Sequence, residues 1–172
     1  GRLNALFSEW CSFSDKEQAP IINHVEYSQE ALDKIKRENY DLIIIFNEPK
    51  DKDVEKLSNE IKNEKDIPLV LLYNDVNRLK TIKNKGKTKI DGFFTWNGDG
   101  KSILGIVEYF EDIKNLEYSK PDDEIDIIFL IEDSIQHYSS YLPIIHEQIC
   151  NHLKKIINKD LSCEQKTQRF KR

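Results

Sequence analysis

Apolar positions along the chain switch between two periods. Leu3, Leu6, Phe7 and Trp10 stand at i, i+3, i+4 and i+7, which predicts an opening helix with one apolar face. Pro20 introduces a short β-type run over 21–26, after which Ser28 is placed to cap a helix that turns Ala31, Leu32 and Ile35 inward. Residues 41–46 are continuously apolar after Asp41, as a strand buried on both faces of a parallel sheet must be. The alternation then repeats: Val54, Leu57 and Ile61 predict a helix, 67–73 an apolar strand, 76–83 a weaker helix and 91–96 a further strand. The turn Asn97-Gly98-Asp99-Gly100 leads into a helix carrying Ile103, Leu104, Val107 and Phe110.

Strands alternating with helices at this spacing predict right-handed βαβ units and a doubly wound parallel sheet. The fold class is therefore α/β, a flavodoxin-like three-layer sandwich. Lys120-Pro121-Asp122-Asp123-Glu124 reads as a linker, which divides the chain into a domain over 1–116, a linker over 117–124 and a second unit over 125–172. The second unit opens with an apolar strand over 125–131. A long helix follows, in which Ile135, Tyr138, Leu142, Ile145, Ile149, Leu153 and Ile156 keep helical spacing and Pro143 predicts a kink. The stretch 160–172 is polar and aperiodic, an irregular tail.

Composition narrows the class. A chain of 172 residues, 38% hydrophobic and 33% charged, is long enough to bury a core without disulfides or a structural metal. No run reaches the length of a membrane span and the first residues show no secretory pattern, so the expectation is a cytoplasmic chain with no membrane partner. The net charge of −5 argues against nucleic acid as the main partner. Local patches read as solvated faces: six basic residues and no acids over 78–89, seven acids over 117–133, and seven basic residues in the last 23. Cys11, Cys150 and Cys163 are odd in number and lack C-x-x-C spacing, which excludes a disulfide framework or zinc ribbon. The absence of methionine, even at position 1, predicts an excised fragment.

In an open parallel sheet, sites form outside the carboxyl ends of the strands. Those ends read Phe46-Asn47-Glu48-Pro49, Tyr73-Asn74-Asp75 and Trp96-Asn97-Gly98. Together with Tyr40-Asp41-Leu42-Ile43-Ile44-Ile45 and Ile67-Pro68-Leu69-Val70-Leu71-Leu72, their order and spacing resemble the receiver domain of bacterial response regulators. The resemblance implies a phosphoryl-accepting aspartate, a threonine or serine, and a lysine at the ends of the last three strands. The matching positions here hold Phe46, Tyr73 and Trp96; a phenyl ring offers neither nucleophile nor metal-ligating oxygen, and an indole cannot replace an ammonium as a phosphate counter-charge. The first unit is thus expected to be a degenerate receiver, not phosphorylated there, with Asn47, Glu48 and Asp75 as loop residues that could meet a cation.

Residues 126–134, ending in Glu132-Asp133-Ser134, resemble the opening of a second receiver, whose acidic pair holds Mg²⁺. The tandem, with Tyr138-Ser-Ser-Tyr-Leu-Pro143 as its most specific stretch, is similar to the amino-terminal region of large bacterial proteins. Those proteins end in a phosphoenolpyruvate synthase or pyruvate phosphate dikinase type domain. The resemblance implies a non-catalytic regulatory module that acts by protein contacts on an attached phosphotransfer enzyme, within a histidine kinase system. It requires no cofactor, with Mg²⁺ at Glu132 and Asp133 the one candidate. Relative to such proteins the first receiver's opening strand is missing, leaving a vacancy that 125–131 is expected to fill, within one molecule or by exchange in a homodimer.

Two rival readings rest on the residues themselves. Thr95-Trp-Asn-Gly98-Asp-Gly100-Lys101-Ser102 follows a strand and opens a helix as a nucleotide-binding P-loop does, with Gly98, Gly100, Lys101 and Ser102 on phosphate, although Thr95 stands where the motif's first glycine belongs. Gly86-Lys87-Thr88 is a weaker version of the same pattern. The second rival is a helical dimerisation segment built on the last helix. His146-Glu147 is similar to the phosphoacceptor pair of sensor kinases but reads as an exposed helix surface. His146 and Cys150 stand at i and i+4 without further ligands, and Cys150 reads as a packing residue.

Overall fold

The computed structural model describes residues 20–47, 53–118 and 127–169, with side chains of the last helix described through His152 and at Lys155. The elements in chain order are α1 (Ser28–Arg37), β1 (Ile43–Phe46), α2 (Val54–Glu64), β2 (Leu69–Tyr73), α3 (Val76–Lys85), β3 (Gly92–Thr95), α4 (Lys101–Tyr118) and α5 (Ile135–Arg169). The three strands form one parallel sheet in the order β1-β2-β3. Ile43 pairs with Leu69 and Phe46 with Leu72, while Val70 pairs with Gly92 and Tyr73 with Thr95. β2 is central and every one of its residues is buried, which is why its five positions carry no charged side chain.

Helices cover both faces. On one, Leu32 and Ile35 of α1, Val54, Leu57 and Ile61 of α2 and Leu79 and Ile82 of α3 pack on Ile45, Leu69, Leu71 and Tyr73. On the other, Ile106 of α4 and Leu142 of α5 pack on Val70, Leu72 and Phe94. Alternate residues of β2 thus serve two separate cores, the period-two consequence of a pleated strand between two helical layers. Caps set the helix starts: Asp53 accepts from the Glu55 N–H, and Asp75 from the N–H groups of Asn77 and Arg78. Gly86 in the left-handed conformation (φ 65°) stops α3.

Several expectations need correction. Among the described residues strand β1 lies at the edge, with Ile45 buried, Ile43 and Ile44 half-buried and Phe46 exposed, because an outer strand has a neighbour on one side only. The run 21–26 forms no strand; among the described residues no strand lies beside it. Residues 127–131 likewise form no strand and, Leu130 apart, stand exposed, with 125 and 126 outside the described residues. Ser28 is the first residue of α1 rather than its cap, and Tyr27 in the cap position makes no side-chain cap bond. In α4 Ile106 is the buried apolar side chain, beside buried Ser102 and Gly105, while Ile103, Leu104, Val107 and Phe110 are half-buried. Residues 160–169 continue α5, since no glycine or proline follows Pro143 to stop it and Lys, Glu, Gln and Arg are good helix formers. The predicted opening helix over 3–10 and the linker 120–124 lie outside the described residues.

The last helix is seated by two devices. At the end of β3 the Trp96 N–H donates to the Tyr73 carbonyl while the buried Thr95 N–H donates to Ser139 Oγ at 2.9 Å. Ser139 in turn donates to the Ile135 carbonyl. Tyr138 lies against Phe94 and Tyr109, with ring centroids 5.8 and 6.4 Å away. Its phenol is pushed up to about 12, chiefly by burial, then by the charge and hydrogen bond of Tyr109. An ionisable group with a raised folded-state pKa stabilises fully below its unfolded value, here 10.0, and that contribution is lost as pH rises through the folded value. Stability measured by circular dichroism is therefore expected to fall between pH 10.0 and about 12, and to fall less steeply in Tyr138→Phe. Equal slopes in the two proteins would contradict this seat for Tyr138.

Candidate functional site

The carboxyl ends of β1, β2 and β3 come together and are closed by aromatic side chains. Phe46 and Trp96 meet edge to face, with ring centroids 5.4 Å apart and an interplanar angle of 77°. Such a pair contributes ~0.5–1.5 kcal/mol beyond the area it buries. Tyr73, between them in sequence, is buried in the core under α1–α3. The polar residues that follow the strands are used by the backbone. Asn47 adopts the left-handed conformation (φ 57°), which asparagine tolerates better than most residues. Its N–H donates to the Leu72 carbonyl and its Oδ1 accepts from the Asn74 N–H at 3.0 Å. Asp75 is occupied in capping α3. Glu48 lies outside the described residues.

The loop 97–102 is built on its own side chains. Asn97 Oδ1 accepts from the Asp99 N–H and from Ser102 Oγ, both at 3.0 Å. Asp99 Oδ1 accepts from the Lys101 N–H at 3.0 Å, and the Asp99 carbonyl from the Ser102 N–H. Gly98 takes φ 88°, the left-handed value that permits this turn. A carboxylate thus already occupies the start of α4, where the positive end of the helix dipole favours an anion. Lys101 Nζ reaches both carboxylate oxygens of Glu147 on α5, at 3.0 and 3.2 Å. A phosphate at Gly98, Gly100, Lys101 and Ser102 would have to displace Asp99 from the backbone and Glu147 from the lysine.

Glu132 and Asp133 sit where 127–131 leads into α5. Glu132 Oε1 accepts from the Ser134 N–H at 2.9 Å and lies 3.9 Å from His137 Nδ1. Ser134 Oγ accepts from the His137 N–H and its carbonyl from the Tyr138 N–H. Glu132 and Ser134 therefore start the helix, while Asp133 is exposed. Among the described residues no group of three or more His, Cys, Asp or Glu could hold a metal ion. His146 is not the exposed histidine expected from the sequence: its side chain is 17% exposed and Nδ1 lies 3.9 Å from Asp112 Oδ2 on α4. Cys150 is half-buried.

Sequence reasoning named Phe46, Tyr73 and Trp96 as strand ends, of which Phe46 and Trp96 meet while Tyr73 turns into the core under α1–α3. It missed Ser139 and the close meeting of Gly105 with Pro143. The only signal for that meeting was a glycine and a proline inside two helices, each locally unfavourable. No helix of the described residues is long and apolar enough to cross a membrane. No family model matches the chain, and no curated protein matches it. Among solved structures, it is similar to a fusion carrying the yeast Spc42 trimeric coiled coil, amino acids 181–211, at 17% identity over 65% of this chain and 75% of that one, with a TM-score of 0.49.

Proposed function

We propose that the chain is a degenerate, receiver-like module of flavodoxin-like architecture that regulates an attached phosphotransfer enzyme through protein contacts and performs no phosphoryl chemistry of its own. The observation that supports this most directly is the edge-to-face pair of Phe46 and Trp96 over the strand ends. Where a receiver needs a carboxylate nucleophile and an ammonium counter-charge, two rings fill the space and exclude both. Helices distributed on both faces of a parallel sheet are in keeping with the reading. The working surfaces would be helix faces. An Mg²⁺ ion on Glu132 and Asp133 would have to draw Glu132 away from the start of α5, and the reading requires no cofactor.

Incubation with acetyl phosphate and Mg²⁺ tests the proposal. Intact mass is expected to show no phosphoryl addition, and the melting temperature is expected to stay unchanged with beryllofluoride. Covalent phosphate on any aspartate or on His146 would overturn it.

A further inference from the structure

Among the described residues the sheet has an open edge beyond β1, and an apolar segment stands without a strand partner. The N–H groups of Ile43 and Asn47 donate across to β2, at Pro68 and Leu72. By the alternation of a parallel strand, those of Ile44 and Phe46 point outward from the sheet. Among the described residues no strand lies on that side. Residues 127–131 read Ile-Ile-Phe-Leu-Ile, and Ile127, Ile128, Phe129 and Ile131 are 69%, 66%, 84% and 83% exposed. Four large apolar side chains within five successive residues, exposed to this degree, form the kind of segment that adds a strand to another chain.

The segment cannot reach that edge within its own molecule. α5 packs on α4 and β3, on the far side of the sheet from β1, with Ser139 bonded to the Thr95 N–H. The open slot beyond β1 lies three strand spacings from β3, ~14 Å, before the offset of the helix is added. From 131 to 135 the chain spans at most ~14 Å when fully extended. It is not fully extended, because Glu132 Oε1 folds back onto the Ser134 N–H.

We infer that β1 accepts residues 127–131 from a second copy of this chain, and that the sheet is completed only in a dimer. The incoming strand would pair with Ile44 and Phe46 and would turn alternate side chains towards the two cores. Its other edge would meet the run 21–26, which has no strand partner among the described residues either; Asn23 Nδ2 already lies 3.4 Å from the Tyr40 hydroxyl just ahead of β1, and Ile21 and Ile22 are exposed. Exchange in both directions would bury on the order of 1,500 Å², within the range of stable interfaces.

The test is sedimentation of the full chain, combined with amide hydrogen exchange, for the wild type and Phe129→Pro. Proline at 129 removes a strand donor and disturbs no packing in the single chain, where the ring is exposed. The wild type is expected to be a dimer at ~10 μM, with the Ile44, Phe46 and 127–131 amides protected. Phe129→Pro is expected to be a folded monomer in which the Ile44 and Phe46 amides exchange at least tenfold faster. A wild type that is monomeric at ~100 μM would overturn the inference, whether those amides are protected or not. So would a dimer that survives Phe129→Pro, or a wild-type dimer in which Ile44 and Phe46 exchange freely; either result would place self-association on another surface, such as α5.

Discussion

Leu71→Ala is expected to lower the unfolding free energy by ~2–5 kcal/mol and the melting temperature by on the order of 10 °C. Leu71 is 0% exposed and sits in the middle of the central strand, paired with Ile45 on one side and Phe93 on the other. It faces the core formed with α1, α2 and α3. Two effects set the size of the loss. The transfer of the lost methyl and methylene groups accounts for part of it, and the rest depends on whether the surroundings close the hole. Here they cannot close it cheaply, because the backbone of β2 is held by hydrogen-bonded ladders on both sides. Leu116→Ala on the exposed end of α4 is the control, since Leu116 is 43% exposed and such surface changes stay within ~0.5 kcal/mol. Urea unfolding with an unchanged m-value reads the difference as stability alone. A loss below ~1 kcal/mol for Leu71→Ala would mean that β2 is not the central strand.

The contrast between β2 and the two unpaired runs shows what apolar patterning carries. Residues 69–73, 21–26 and 125–131 all have the composition of strands, yet only the first is one among the described residues. Composition reports that a segment needs burial. It does not report whether a neighbouring strand is there to supply it, because hydrogen-bond partners in a parallel sheet come from distant parts of the chain. The edge position of β1 was hidden for the same reason: Ile43, Ile44 and Ile45 look alike in sequence, but only Ile45 is buried. The long helix was legible at its start, where Ile135, Tyr138 and Leu142 repeat the helical period and end up packed inward. Its end was not, since an apolar stripe marks where a helix packs and not where it stops.

At the candidate site, what could be read was substitution. Phenylalanine and tryptophan at two of the strand ends supply neither a carboxylate nor an ammonium, whatever their geometry. What could not be read was the use of the polar residues nearby. Asn47, Asp75, Asn97, Asp99 and Glu132 each accept from a backbone N–H close by. A carboxylate that caps a helix and one that binds a metal are the same letter in the sequence; their hydrogen-bond partners tell them apart. Lys101 is the sharpest case. As part of Gly100-Lys101-Ser102 it suggests a phosphate ligand, and in the fold its ammonium lies on Glu147.

Gly105→Val tests the seat of the last helix, and the substitution is expected to cost about 3 kcal/mol, the upper end of what overpacking brings. A Cβ at position 105 would lie 2.9 Å from Pro143 N, 3.0 Å from its Cα and 3.1 Å from its Cβ. Those atoms belong to the backbone and to a closed ring, so no rotamer change relieves the clash. Helix propensity works the other way, since valine is better than glycine in a helix by a few tenths of a kcal/mol. The overpacking term is several times larger and sets the sign. To accept the side chain, α5 must lift from α4, which stretches the bond from the Thr95 N–H to Ser139 Oγ and the ion pair of Lys101 with Glu147. The exposed ion pair is worth little, whereas a buried N–H left without a partner costs ~1–3 kcal/mol. Hydrogen exchange should therefore show the Thr95 amide deprotected while the amides of β2 that bond to β1 stay protected. Pro143→Ala should not rescue Gly105→Val, because Pro143 N, Cα and Cβ all have counterparts in alanine. A Gly105→Val protein as stable as the wild type, with Thr95 still protected, would mean that α5 does not rest on α4 at this crossing. The two residues that weaken their own helices locally are the two that meet, and the close approach they permit is what brings Ser139 within reach of β3.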